Sequence, residues 1–110
     1  MLHFETIEPK TLELLRKLQS LSIFEHSRLV GGTALALQLG HRKSVDLDLF
    51  GTIEASPEDI QEACREVGEL EISKTSRNIN INWIDGIKVD CVNYPYGWLD
   101  ECRVVDGIRL

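Results

Sequence analysis

Positive charge is in short supply. Lysine and arginine number 12 against 18 aspartates and glutamates, a net charge of −6 over 110 residues, so no overall basic surface is available to hold a nucleic-acid backbone. Any nucleic acid must be held locally or by a partner. Cysteine is sparse too: Cys64, Cys91 and Cys102 are odd in number, widely spaced and without a second-ligand pattern, which argues against a disulfide framework and against a zinc site. A reducing cytoplasm is the simplest setting. No apolar run approaches the ~20 residues of a membrane span, and MLHFETIEPK has neither the basic start nor the apolar stretch of a signal peptide. We expect a cytoplasmic protein without membrane association. The 43% of apolar residues suffice for one small core, and residues 1–110 read as a single domain.

What is present is periodic. Leu12, Leu15, Leu18 and Leu21, with Leu14 beside them, recur at helical spacing after Pro9 and predict an amphipathic helix over 9–20. In SRLVGG, Leu29 and Val30 make a short strand cut off by Gly31 and Gly32. Thr33 to Leu39 reads as a short apolar helix, with Gly40 where a left-handed C-terminal cap is expected. After the polar turn HRKS, VDLDLF alternates strictly: Val45, Leu47 and Leu49 share one face, Asp46, Asp48 and Phe50 the other. Ser56, Pro57 and Asp59 open a helix over 57–67 whose core stripe is Ile60, Ala63, Cys64 and Val67.

LEISKT, NININ and IKVDCV then read as three strands, the last two joined through Asp85-Gly86, a dipeptide favoured in tight hairpin turns. Ile79, Ile81 and Trp83 fall on one face and Asn78, Asn80 and Asn82 on the other, so one face of that sheet is wet. Val89 and Cys91 point inward, with Lys88, Asp90 and Val92 opposite. Beyond Asn93 periodicity is lost and no helix is expected. The order of elements implies an α/β (α+β) sandwich of two layers, with helices on one side of the sheet and an open face on the other.

The chemistry lies in the acidic residues of the strands. Aspartate is depleted in strands and costly to bury as a charge, so Asp46, Asp48 and Asp90 on one open face would repel one another unless cations lay between them. Magnesium suits such a site: it prefers hard oxygens, takes few carboxylates, and completes its shell with water and substrate phosphates. Gly31 and Gly32 stand between a strand and a helix start, where free N–H groups and the positive helix end suit a phosphate, and Thr33 adds a hydroxyl. The helix from 33 to 39 spans only about 10 Å, so the turn HRKS can return the carboxylates to those glycines. Arg42, Lys43 and Ser44 precede the carboxylates and could serve the same phosphates.

The arrangement GG-T followed by G-x-R-x-S-x-D-x-D resembles the signature of the nucleotidyltransferase superfamily that includes DNA polymerase beta. The fuller string LVGGTALALQLGHRKSVDLDLF resembles its AbiEii/AbiGii toxin-type branch. The resemblance implies a two-layer nucleotidyltransferase fold, with a mixed sheet and an open active-site face. It implies phosphate contacts from Gly32, Thr33 and Ser44, with metal held by Asp46 and Asp48. Asp90 corresponds to the third carboxylate, which helps one metal and draws the proton from the attacking hydroxyl. The cofactor implied is a pair of magnesium ions, with manganese as a substitute. The activity implied is transfer of a nucleoside monophosphate from a nucleoside triphosphate to a hydroxyl on a transfer RNA, a protein side chain or a small molecule. The role implied is toxin in a type IV toxin–antitoxin pair, with an antitoxin or other protein as partner.

Relatives of this branch continue past a segment like DGIRL into a helical region, whereas this sequence stops at Leu110, so the second reading is a truncated or catalytically incomplete nucleotide-binding module that acts only with a partner chain. A third takes D-x-D as the metal site of a sugar-nucleotide glycosyltransferase; shortness and the upstream glycines argue against it. Several residues have plainer readings. D-x-D alone is weak evidence, and Asp90 is also explained by a solvent-facing hairpin position. Arg42 and Lys43 read individually as solvated turn residues, and His41 as a solvated helix end. Cys64 and Cys91 fit a core, and for Trp83, Trp98, Tyr94 and Tyr96 core packing or partner contact is the better reading than base stacking.

Overall fold

The computed structural model of the chain describes residues 2–40, 46–94 and 102–110. Helix α1 spans Pro9–Ser20, strand β1 Ser27–Val30, helix α2 Gly31–Leu39, strand β2 Leu47–Gly51 and helix α3 Pro57–Arg65. Strands β3 Leu70–Thr75, β4 Ile79–Ile84 and β5 Ile87–Asn93 follow, then two short strands, β6 Val104–Val105 and β7 Ile108–Arg109. Pro9 opens α1, whose Leu14, Leu15 and Leu18 are buried. At α3 the Ser56 hydroxyl accepts a hydrogen bond from the Asp59 N–H at 3.2 Å, which satisfies one of the free donors of the first turn. The helix ends at Arg65, two residues short of the predicted bound, because Glu66 and Val67 donate back three residues, to Ala63 and Cys64, at 3.2 Å.

The main sheet is mixed, in the order β1-β2-β5-β4-β3, with β2 and β5 parallel and the other neighbours antiparallel. Leu29, Leu47, Leu49, Val89, Cys91 and Ile84 point to the helical side and are fully buried, in one core with Leu15, Leu18, Leu37, Ile60 and Cys64. The opposite face carries a row of residues in register: Val30, Asp48, Asp90, Ile81 and Lys74 on β1, β2, β5, β4 and β3. This is the two-layer architecture with an open face that the order of elements implies.

On β4 the wet face is not the asparagine face. Asn80 and Asn82 are buried, 1% and 0% exposed, while Ile79 and Trp83 are 41% and 39% exposed on the open side. Core packing, one of the expectations for Trp83, is therefore overturned. The reason lies in the turn: Asp85 and Gly86, with φ of 50° and 79°, make a two-residue connection that pairs Ile84 with Ile87. That register sets Asn82 beside Val89 and Asn80 beside Cys91, and Val89 and Cys91 must face the helices. Asn80 Oδ1 and both side-chain polar atoms of Asn82 find no hydrogen-bond partner among the described residues.

A second difference is the hairpin of β6 and β7, within a stretch where no regular structure was expected. Asp106 and Gly107 repeat the positive-φ turn of Asp85-Gly86, at 51° and 79°. The Arg109 guanidinium donates to the carbonyls of Ser27 at 2.8 Å, Phe24 at 2.9 Å and Gln19 at 3.0 Å, and Ile108 is fully buried. These bonds tie the hairpin to β1 and to the end of α1.

A buried amide without partners costs about 1–3 kcal/mol, which an apolar side chain of the same shape recovers. Asn82→Leu is therefore expected to stabilise the domain by about 1 kcal/mol or more in urea denaturation. A loss of stability would show that the amide is bonded after all.

Candidate active site

The turn from β1 into α2 brings backbone against a carboxylate. Gly31 has φ of +77°, which favours glycine, and a Cβ there would stand 2.5 Å from Asp48 Oδ2, so any side chain would have to displace that carboxylate. Val30 is the cross-strand neighbour of Asp48, which is why the turn that follows it lands at that side chain. Gly32 lies in the first turn of α2. Thr33, also in that turn and buried, donates its hydroxyl to the backbone carbonyl of Asp46 and ties the helix start to the beginning of β2.

Parallel pairing of β2 with β5 sets Asp48 directly beside Asp90, although 41 residues separate them in the chain. Both are half-buried on the open face, and Asp90 Oδ1 is buried without a hydrogen-bond partner among the described residues. Burial first, then the charge of Asp90, a side-chain hydrogen bond with it, and the charge of Asp46, push the Asp48 carboxyl up to about 6; Lys88 opposes the shift. The hydrogen bond between the two acids exists only when one of them is protonated, and ionisation of Asp48 replaces it with repulsion from its neighbours. Lys88, two residues before Asp90 on the same face, places Nζ 3.5 Å from Asp90 Oδ2. It is the functional neighbour that sequence reasoning passed over, although strand alternation put it beside Asp90.

The structure thus brings together Gly31, the start of α2, Asp46, Asp48 and Asp90. Arg42 and Ser44, the other expected substrate contacts, lie outside the described residues, as do His41, Tyr96 and Trp98. Among the described residues no three histidine, cysteine, aspartate or glutamate side chains are already gathered into a cage for a metal ion. In kind, the donors fit a hard divalent cation: two carboxylates side by side, each disfavouring the other's charge, one with an unpartnered buried oxygen. Also among the described residues, no helix is long and apolar enough to cross a membrane.

The fold is of the nucleotidyltransferase type. It is similar to that of a candidate nucleotidyltransferase of Thermotoga maritima solved by crystallography, with a TM-score of 0.53 and 20% identity, covering 94% of this chain and 65% of that one. Residues 13–99 match the family described as nucleotidyl transferase AbiEii toxin, type IV TA system, and the chain belongs to that family. An uncharacterized protein of Aquifex aeolicus strain VF5 is 36% identical over 92 residues. That alignment covers 81% of this chain but 44% of the relative, so the chain spans less than half of that protein's length.

The raised Asp48 pKa has a definite sign in stability. A carboxyl whose folded value, about 6, exceeds its ordinary value of 3.8 stabilises the fold fully below about pH 4, and loses that contribution as pH rises through 6. In metal-free buffer, Asp48→Asn is therefore expected to stabilise the domain at pH 7.5 by about 1–2 kcal/mol, after discounting for partial exposure. The gain should shrink toward zero at pH 4. An equal effect at both pH values in thermal or urea melts would overturn this assignment.

Proposed function

We propose that this domain performs metal-dependent nucleotidyl transfer, moving a nucleoside monophosphate from a nucleoside triphosphate to a hydroxyl acceptor. The observation that carries the reading is the Asp48–Asp90 pair beside the Gly31 turn, in a chain of the AbiEii family. Gly31, Gly32 and Thr33, at the positive end of α2, receive the triphosphate, with Arg42 and Ser44 as further phosphate contacts. Asp46, Asp48 and Asp90 would hold divalent metal, magnesium or in its place manganese. Bound there, such ions, two in this reading, would offset the charge of the carboxylates and would supply Lewis acidity toward the phosphoryl group. In this reading Asp90 takes the proton from the attacking hydroxyl. A bond forms between that oxygen and the α-phosphorus as the bond to pyrophosphate breaks, and the turn of Gly31 orients the departing group.

The acceptor in this reading is a hydroxyl of a transfer RNA or of a protein. The biological role is toxin of a type IV toxin–antitoxin pair in the cytoplasm, with an antitoxin as partner. A second reading, a nucleotide-binding module that turns over only with a partner chain, is favoured by one observation: the described carboxylates do not form a three-ligand cage by themselves.

The test uses triphosphates labelled at the α-phosphate, magnesium, and cell extract fractionated into RNA and protein. Label should pass to one fraction with wild type and fall by about 100-fold or more in Asp46→Asn and Asp48→Asn, the scale of losing a group that stabilises the transition state. Equal labelling in all samples would remove the proposal. Triphosphate and manganese binding by calorimetry without turnover, with activity restored by a partner chain, would select the second reading.

A further inference from the structure

The two edges of the main sheet differ. At the β1 edge, Arg109 reaches the Ser27 carbonyl and the β6–β7 hairpin packs alongside. At the other edge β3 is terminal, no described element pairs with its outer side, and Glu71 to Thr75 are all exposed, including Ile72 at 44%. An unpaired strand edge is a template for another strand unless its sequence opposes pairing.

This edge carries a pattern complementary to itself. The register of β3 on β4 shifts between Ile72 and Lys74, so Ser73 is an extra residue. As a result Glu71, opposite Trp83, and Lys74, opposite Ile81, point to the same open face, although three positions apart. Place a second copy antiparallel to the first, about a two-fold axis normal to the sheet between Ile72 and Ser73. Glu71 of each copy then lies opposite Lys74 of the other, on one face, and the two Ile72 side chains approach across the axis on the other face. Registers centred on Glu71 or on Lys74 oppose like charges, which disfavours them.

The same axis uses two further features. A cleft of about 360 Å³ beside β3 is lined by Glu69, Leu70, Glu71, Trp83, Asp85 and Gly86. Three carboxylates and an indole in one cleft suit a guanidinium. Arg77, exposed in the turn after β3, makes no ion pair among the described residues. In the symmetric register, Arg77 of one copy comes level with Gly68 and Glu69 of the other, at that cleft.

We propose that β3 is a homodimerisation edge, at which a second copy of this chain extends the sheet through paired Glu71 and Lys74 and lodges Arg77 in the acidic cleft. The interface is isologous and independent of the nucleotide chemistry. Sedimentation velocity of the purified chain from about 5 to 500 µM should show a monomer–dimer equilibrium, as expected of a small interface. Glu71→Lys and Lys74→Glu each create two like-charge contacts and should weaken association at least tenfold. The double variant Glu71→Lys/Lys74→Glu should restore it, as should mixing the two single variants, which then form a heterodimer. Arg77→Glu should weaken it as well. All these residues are exposed, so each variant is expected to fold, which circular dichroism checks. A wild type that stays monomeric over the whole range, single reversals without effect, or a double variant that fails to recover would overturn the proposal.

Discussion

The parallel pairing of β2 with β5 is the constraint on which the site depends. Like charges do not seek each other, so the closeness of Asp48 and Asp90 has to be imposed from elsewhere. It is imposed by the other face of the same strands. Leu47 and Leu49 on β2 and Val89 and Cys91 on β5 are fully buried against the helices, and a slip of one residue in either strand would turn these side chains to water. The hydrophobic core therefore holds the acids in place, against their repulsion, with an excess of negative potential on the open face. That excess suits a cation, as the proposed reaction on a triphosphate would require.

The second element of the site follows from the first. Because β1 lies antiparallel on β2, the end of β1 arrives at Asp48, and the chain must reverse there into α2. The reversal needs a positive φ, and a side chain there would press on the Asp48 carboxylate, so Gly31 suits it. A helix start, two adjacent carboxylates and the Asp46 carbonyl tied by Thr33 are thus gathered by backbone geometry. Lys88, delivered by β5 together with Asp90, offsets part of the local negative charge.

Much of this was legible before the fold was known, where one local rule operated without competition. Helix α1 follows from its leucines and Pro9, α3 from the Ser56 cap, and the turn at Asp85-Gly86 from the dipeptide. The acidic face of β2 follows from alternation. On β4 the rule of apolar inward failed, because the turn joined β4 to a strand whose own inward residues had already settled the register, and the asparagines went in with them. The β6–β7 hairpin escaped for want of length: two residues per strand carry no periodicity, and only Asp106-Gly107 marked the turn.

Taken alone, the order of residues determined which segments are helix or strand over most of the described chain, and which strand faces carry acid. These are properties of near neighbours, set by backbone sterics and by side-chain period. Tertiary structure decided that Asp48 and Asp90 are adjacent, that Gly31 abuts one of them, and that one sheet edge is covered while the other has no partner among the described residues. Those facts depend on contacts between residues far apart in the chain, and only the burial of a shared core selects among the ways of making them.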